Sequence, residues 1–165
     1  MQDRSPEAAP FAKASVSHTL HPGDVVCAER GDRLETLLGS CVAVILTDRL
    51  RTVGTMCHIV HSQPSVTAGA APTTSADAAI HAMYRELYLR GFSPLLCQAF
   101  VYGGGNMFPH LVKNRHVGEG NAERVLARLS EDGVRVLIQD LGGNAYRRLS
   151  WTIGHELPQV TAVDV

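Results

Sequence analysis

Apolar residues in this chain gather in short blocks whose periodicity changes along its length. Val42 to Thr47 is an almost unbroken apolar run, rich in β-branched residues and too short for a typical helix, so it predicts a strand. Arg33 to Leu37 is a shorter extended segment before it, and Gly39-Ser40 interrupts the two. Asp48 to Thr52 is polar and turn-like, after which Val53 to His61 resumes the extended pattern. Consecutive strands with a short connection usually pair antiparallel. Such a hairpin brings Cys41, at the start of one strand, close to His58 or His61, near the end of the next.

The flanking pattern completes the element count. Residues 1–17 are small, polar and Pro-containing and predict a flexible tail, leaving 18–165 as a single domain. Asp24 to Glu29 is a first strand candidate, and Ser62 to Ser75, rich in Pro, Gly, Ser and Thr, is a long loop. Ala76 to Arg90 carries Ile80, Met83, Tyr84, Leu87 and Tyr88 on one helical stripe. Thr74 and Asp77 have the spacing of a capping signal, and Gly91 suits the position just past the helix. Leu95 to Tyr102 predicts a strand, Ala122, Val125, Leu126 and Leu129 a second helix ended by Gly133. Val134 to Gln139 and Arg147 to Ile153 close the series as strands. Six or seven strands and two helices, in this order and without internal repeat, predict an α+β (mixed α/β) layered sandwich rather than a doubly wound sheet.

Composition narrows the function classes. Charged residues make up 19% of the chain and the formal net charge is −1, with thirteen scattered arginines among the fifteen basic residues. That argues against nucleic acid or an anionic membrane as the main partner. The N-terminal residues lack the apolar core of a secretory signal, and no apolar run exceeds strand length. A cytoplasmic location is the resulting expectation, with the four cysteines as reduced thiols.

Cys27, Cys57 and Cys97 lie inside apolar strand candidates, where a cysteine serves as a small buried hydrophobe. Cys41 follows a glycine-serine break that can expose a side chain and present N–H donors, so it reads either as packing or as a nucleophile. His58 and His61, three apart on one strand, point to opposite faces. Cys57-His58-x-x-His61 has no second pair at zinc spacing, so no metal is expected. Gly103-Gly104-Gly105-Asn106 follows a strand as a phosphate loop would, yet it lacks the lysine and the directly following helix of such loops. With the similar Leu141-Gly142-Gly143-Asn144, it reads as a tight turn lining a cleft. A nucleotide-binding regulator is the reading it would support.

The segments LETLLGSCVAVILTD, MCHIV, SADAAIHAMYREL, VYGGGNMF, VGEGNAERVL and QDLGGN occur in the order and spacing of the chemoreceptor glutamine deamidases. From Leu20 to Ile153 the chain resembles this family, CheD of bacterial chemotaxis. The resemblance implies a compact layered fold of stacked mixed sheets with two helices. It implies a protein-glutamine glutaminase, an amidohydrolase turning glutamine side chains of methyl-accepting chemotaxis receptors into glutamate, without cofactor. A CheC-type phosphatase is a further implied partner, and a weakly active adaptor that binds receptor or phosphatase is the alternative. By the same resemblance Cys41 is the nucleophile, His58 the base that holds it as thiolate, and Thr36 the residue orienting His58. Gly39 and Ser40 border the cleft, where backbone N–H groups meet the oxyanion. Two departures stand out: Thr36 is one residue closer to the cysteine than in some members, and His61-Ser62 replaces a Leu-Pro ending.

Overall fold

Strand β4 (Val42–Thr47) is buried at every position, and so is β5 (Val53–Ile59), its antiparallel neighbour. A strand tolerates unbroken apolar sequence only when both faces of its sheet are covered, and here both are. The structure, a computed structural model, describes residues 13–165. The first twelve residues of the tail expected from the sequence lie outside that range.

Two sheets and two helices form three layers. A five-stranded sheet has the order β2 (Val25–Glu29), β5, β4, β6 (Gln98–Gly103), β7 (Arg135–Leu141). A four-stranded sheet has the order β1 (Ser17–Thr19), β3 (Arg33–Leu38), β8 (Ala145–Thr152), β9 (Gln159–Asp164). Helices α1 (Ala76–Leu89) and α2 (Val117–Glu131) cover the outer face of the five-stranded sheet, burying Ile80, Met83, Val125 and Leu129 against Val42, Val44, Cys57 and Ile59. The opposite face of that sheet, with Ala43, Ile45, Met56 and Phe100, packs on Leu34, Leu38, Leu149 and Trp151 of the four-stranded sheet. Trp151 fits because Gly54 lies beneath it; a Cβ at that position would collide with the indole ring. Mixed sheets in layers with two helices are the expected α+β sandwich.

Several expectations are corrected. Among the described residues there are nine strands, not six or seven. β1 and β9 escape a pattern search because β1 is three polar residues held by backbone pairing and β9 exposes nearly all its side chains. The capping signal at Thr74 and Asp77 does not form: the N-cap is Ser75, without a side-chain cap, and the Thr74 hydroxyl donates to Ala71 O instead. The Ser62 to Ser75 loop is tied down at its end, where a 3-10 turn (Pro72–Thr74) precedes α1 and Thr73 donates to Gly23 O at 2.7 Å. Leu95 and Leu96, expected at the start of a strand, lie instead in another 3-10 turn (Pro94–Leu96) started by Pro94, because proline sets its own φ and offers no donor to a ladder. Gly91, at φ +82°, ends α1 as anticipated.

Gly39 and Ser40 are where the chain leaves one sheet for the other. β3 belongs to the four-stranded sheet and β4 to the five-stranded sheet. Residues close in sequence on either side of this crossing therefore face one another across the gap between the sheets.

Candidate active site

On β3 the side chains alternate, so Leu34, Thr36 and Leu38 point inward while Arg33 and Leu37 are exposed. On β5 the position opposite Ala43 is His58, whose ring shares the inter-sheet face. Thr36 and His58 meet across that gap: Thr36 Oγ1 lies 2.8 Å from His58 Nδ1, with both side chains buried. The same hydroxyl donates its one hydrogen to Leu20 O at 2.9 Å. It can then only accept from the ring, which places a hydrogen on Nδ1 and leaves Nε2 with a free lone pair. Burial holds the imidazole pKa below its usual value, opposed by the Leu20 carbonyl and Asp24, so the ring rests neutral. Its backbone is pinned as well, with His58 N donating to Asp24 O at 3.1 Å.

Cys41 stands two residues before Ala43 and hence on the same face as His58, as its diagonal neighbour on the paired strand. Among the described residues its Sγ makes no hydrogen bond, and burial raises its pKa above that of a free thiol. The resting pair is therefore a neutral thiol beside a neutral imidazole. Desolvation disfavours both charged forms and so works against the thiolate that the resemblance implies.

The glycine turn after β6 shapes the backbone at Cys41. Gly104 N donates to Cys41 O at 2.8 Å, and Gly105 N to Gly39 O at 2.9 Å. In a continued antiparallel ladder the Cys41 N–H would return a bond to the Gly104 carbonyl. Gly103 at φ +114° and Gly104 at φ +65° turn that carbonyl away. Among the described residues neither the Ser40 nor the Cys41 N–H has a protein acceptor, and both residues are half-buried rather than sealed. Gly103 also abuts the Cys41 carbonyl so closely that no side chain fits there. The glycine run is thus a support for the Cys41 loop, not a phosphate cradle.

Helix α2 reaches the same loop. Gly118 packs on the 104–105 backbone, where a Cβ would lie 2.5 Å from Gly104 C. Asn121, 1% exposed, donates through Nδ2 to Ser40 O at 3.1 Å and to Val60 O at 2.9 Å. The sequence reading passed over both residues, since their partners are far away in the chain. The available signal was an asparagine four residues before Val125, on the apolar stripe of a helix.

His61 lies beyond the end of β5, exposed, and does not join the cluster. Cys57, its neighbour in the motif, faces the helices and is fully buried, its pKa pushed up to about 12. Cys97 is also buried, whereas Cys27, on the edge strand β2, is partly exposed rather than enclosed. A groove of about 370 Å³ opens beside the loop, lined by Ser40, Gly105, Met107, Phe108, Val117 and Gly118. Phe108 and Val117 in its lining are exposed. Among the described residues no three His, Cys, Asp or Glu side chains gather as a metal site would require, and no helix is long and apolar enough to cross a membrane.

Residues 61–156 match the family model described as CheD chemotactic sensory transduction. A probable chemoreceptor glutamine deamidase CheD 2 of Albidiferax ferrireducens is 31% identical over 87% of this chain and 85% of its own length. That share of the chain is too large to leave out Thr36, Cys41 or His58, all of which precede the family-model match. A probable chemoreceptor glutamine deamidase CheD of Pseudomonas syringae pv. syringae is 35% identical over 79% of this chain and 75% of its own. One of Methanococcus vannielii is 33% identical over 76% and 81%.

Proposed function

The chain belongs to the CheD family, and from that premise we propose that it hydrolyses the side-chain amide of glutamines on chemotaxis receptors, with Cys41 as nucleophile, His58 as base and Thr36 orienting His58. The observation that carries this reading is the Thr36–His58 hydrogen bond, which leaves Nε2 unprotonated on the face that Cys41 shares.

The chemistry begins from the neutral pair. His58 Nε2 takes the Cys41 proton as the sulfur attacks the glutamine Cδ, so the thiolate arises during attack instead of standing ready. The oxygen of the tetrahedral intermediate gains negative charge, and the unpaired N–H groups of Ser40 and Cys41 are the donors for it. The imidazolium returns its proton to the departing nitrogen, which leaves as ammonia, and a thioester remains. Water then gives a proton to His58 and its oxygen to the acyl carbon, releasing glutamate and the thiol. Thr36 accepts from Nδ1 throughout, strengthening as the ring becomes charged.

A receptor is a large substrate, and the exposed apolar rim of Phe108 and Val117 in the groove with Ser40 supports docking of a protein surface. The test is mass spectrometry of purified receptor cytoplasmic fragments incubated with the protein. Conversion of particular glutamines to glutamate, absent with Cys41→Ala, is expected. No conversion by the wild-type chain on any receptor fragment would favour the adaptor reading.

A further inference from the structure

We propose that Asn121 is a positioning residue that holds the nucleophile loop in register with the strand carrying His58; this rests on the catalytic reading above. The pairing of β4 with β5 ends at Val42 opposite Ile59, and beyond that rung the two chains separate. Cys41 lies just past the end on one side and Val60 on the other. With the ladder gone, no strand bond sets the distance between the loop and the end of β5. Asn121 bridges this opening, its amide donating one hydrogen to Ser40 O and the other to Val60 O. Both partners are carbonyl oxygens, so the nitrogen end of the amide must face them and both its hydrogens are used.

A purely packing role does not account for this residue. Asn121 occupies the apolar stripe of α2 with Ala122, Val125 and Leu129, where a leucine would fill space without burying an amide. What asparagine adds is a two-headed donor one residue before the nucleophile and two after the base. Gly118, one helical turn earlier, lets α2 sit directly on the Gly104–Gly105 backbone, which binds Cys41 O and Gly39 O. The loop is therefore held from both sides, by the glycine turn along its carbonyls and by Asn121 at Ser40. Asn121 touches neither the sulfur nor the ring, so it acts through the placement of Cys41.

The experiment compares wild type, Cys41→Ala, Asn121→Asp and Asn121→Ser for receptor deamidation and for iodoacetamide labelling of each thiol by mass spectrometry. Asn121→Asp turns a carboxylate onto two carbonyl oxygens and should lower kcat on the order of a hundredfold, with KM changed less than about threefold. Asn121→Ser keeps one donor and should lose less. In both, Cys41 should alkylate several-fold faster as its loop loosens, while Cys57 and Cys97 stay protected. A structural role alone would speed all the buried thiols together, and that result, or unchanged kcat, overturns the proposal. If Asn121→Asp does not fold, the kcat and labelling pattern of Asn121→Ser decides by the same criteria. Failure of the catalytic reading is separable: it shows as no loss of deamidation in Cys41→Ala, and the labelling pattern still tests the tether.

Discussion

Cys57 and His58 are adjacent in sequence and face opposite sides of the same sheet, and their surroundings differ in kind. Cys57 points toward α1 and α2 into a core of Val44, Ile80, Met83 and other apolar side chains. His58 points toward the four-stranded sheet, where the packing is mostly apolar and where Thr36 meets His58 near the crossing that carries Cys41. The helix-covered face is mainly apolar, with Thr55 and Asn121 as buried polar exceptions. On the sheet-covered face Thr36 and His58 sit near the crossing between sheets, where the Leu20 carbonyl accepts from the Thr36 hydroxyl. Burial raises the thiol pKa on both faces, and at Cys57, enclosed by the helices, pushes it up to about 12.

The most severe way to break this contrast is to delete a group from each face. Cys41→Ala and His58→Ala should each cost at least about a thousandfold in deamidation rate, as expected when groups act as a unit. Cys57→Ala should retain the rate and instead lower the stability of the fold by about 1 kcal/mol, measured by urea unfolding. A variant of Cys57 that folds normally but cannot deamidate would transfer the chemistry to the helix side.

Thr36 sharpens the comparison, being the residue of the four-stranded sheet that bonds His58. Thr36→Val conserves shape and removes the acceptor for Nδ1–H, so the ring is free to take the tautomer that points its hydrogen at Cys41. A loss of roughly tenfold to a thousandfold in kcat follows by analogy with other supporting residues. Thr36→Ser should recover much of it. Full activity in Thr36→Val would leave a two-residue site oriented by something else.

These contacts were legible in the sequence to different depths. The all-buried β4 and the alternation of β3 show the apolar pattern directly, and with them the hairpin that carries Cys41 and His58. That Thr36 reaches His58 depends on β3 and β4 entering different sheets, which local periodicity does not encode. The glycine turn was recognisable as a turn, but its service to Cys41 arises from pairing between β4 and β6, distant in the chain. β9 was invisible because an edge strand that packs little beyond Val160 needs no apolar pattern.

A smaller effect separates the faces through pH. Burial lowers the pKa of His58 from an ordinary imidazole value of 6.5. The unfolded chain therefore binds a proton at His58 more readily than the folded one below that pH. Stability from this group is present above 6.5 and is lost as pH falls toward the lower folded value. Wild type should lose more unfolding free energy between pH 7.5 and pH 5 than His58→Gln, which has no such proton to bind. Parallel losses in the two would mean that the buried ring does not contribute to the slope.

The smallest effect concerns His61, and the comparison depends on its being small. His61 is three residues from His58, and its side chain is exposed beyond the end of β5. What it contributes to the fold comes from its backbone: His61 N donates to Thr74 O at 3.0 Å, and its carbonyl accepts from Ala76 N at 3.0 Å. These bonds fasten the end of the long loop and the start of α1 to the chain just after β5, and they survive any non-proline substitution. His61→Ala should therefore change deamidation by less than about twofold and stability by no more than about 0.5 kcal/mol, the usual range for a surface position. His61→Pro, by contrast, removes the N–H bonded to Thr74 and should destabilise the junction with no imidazole role involved. A loss in His61→Ala approaching that of His58→Ala would mean that the base reaches the thiol from outside the sandwich, and the Thr36–His58 contact would then serve folding alone.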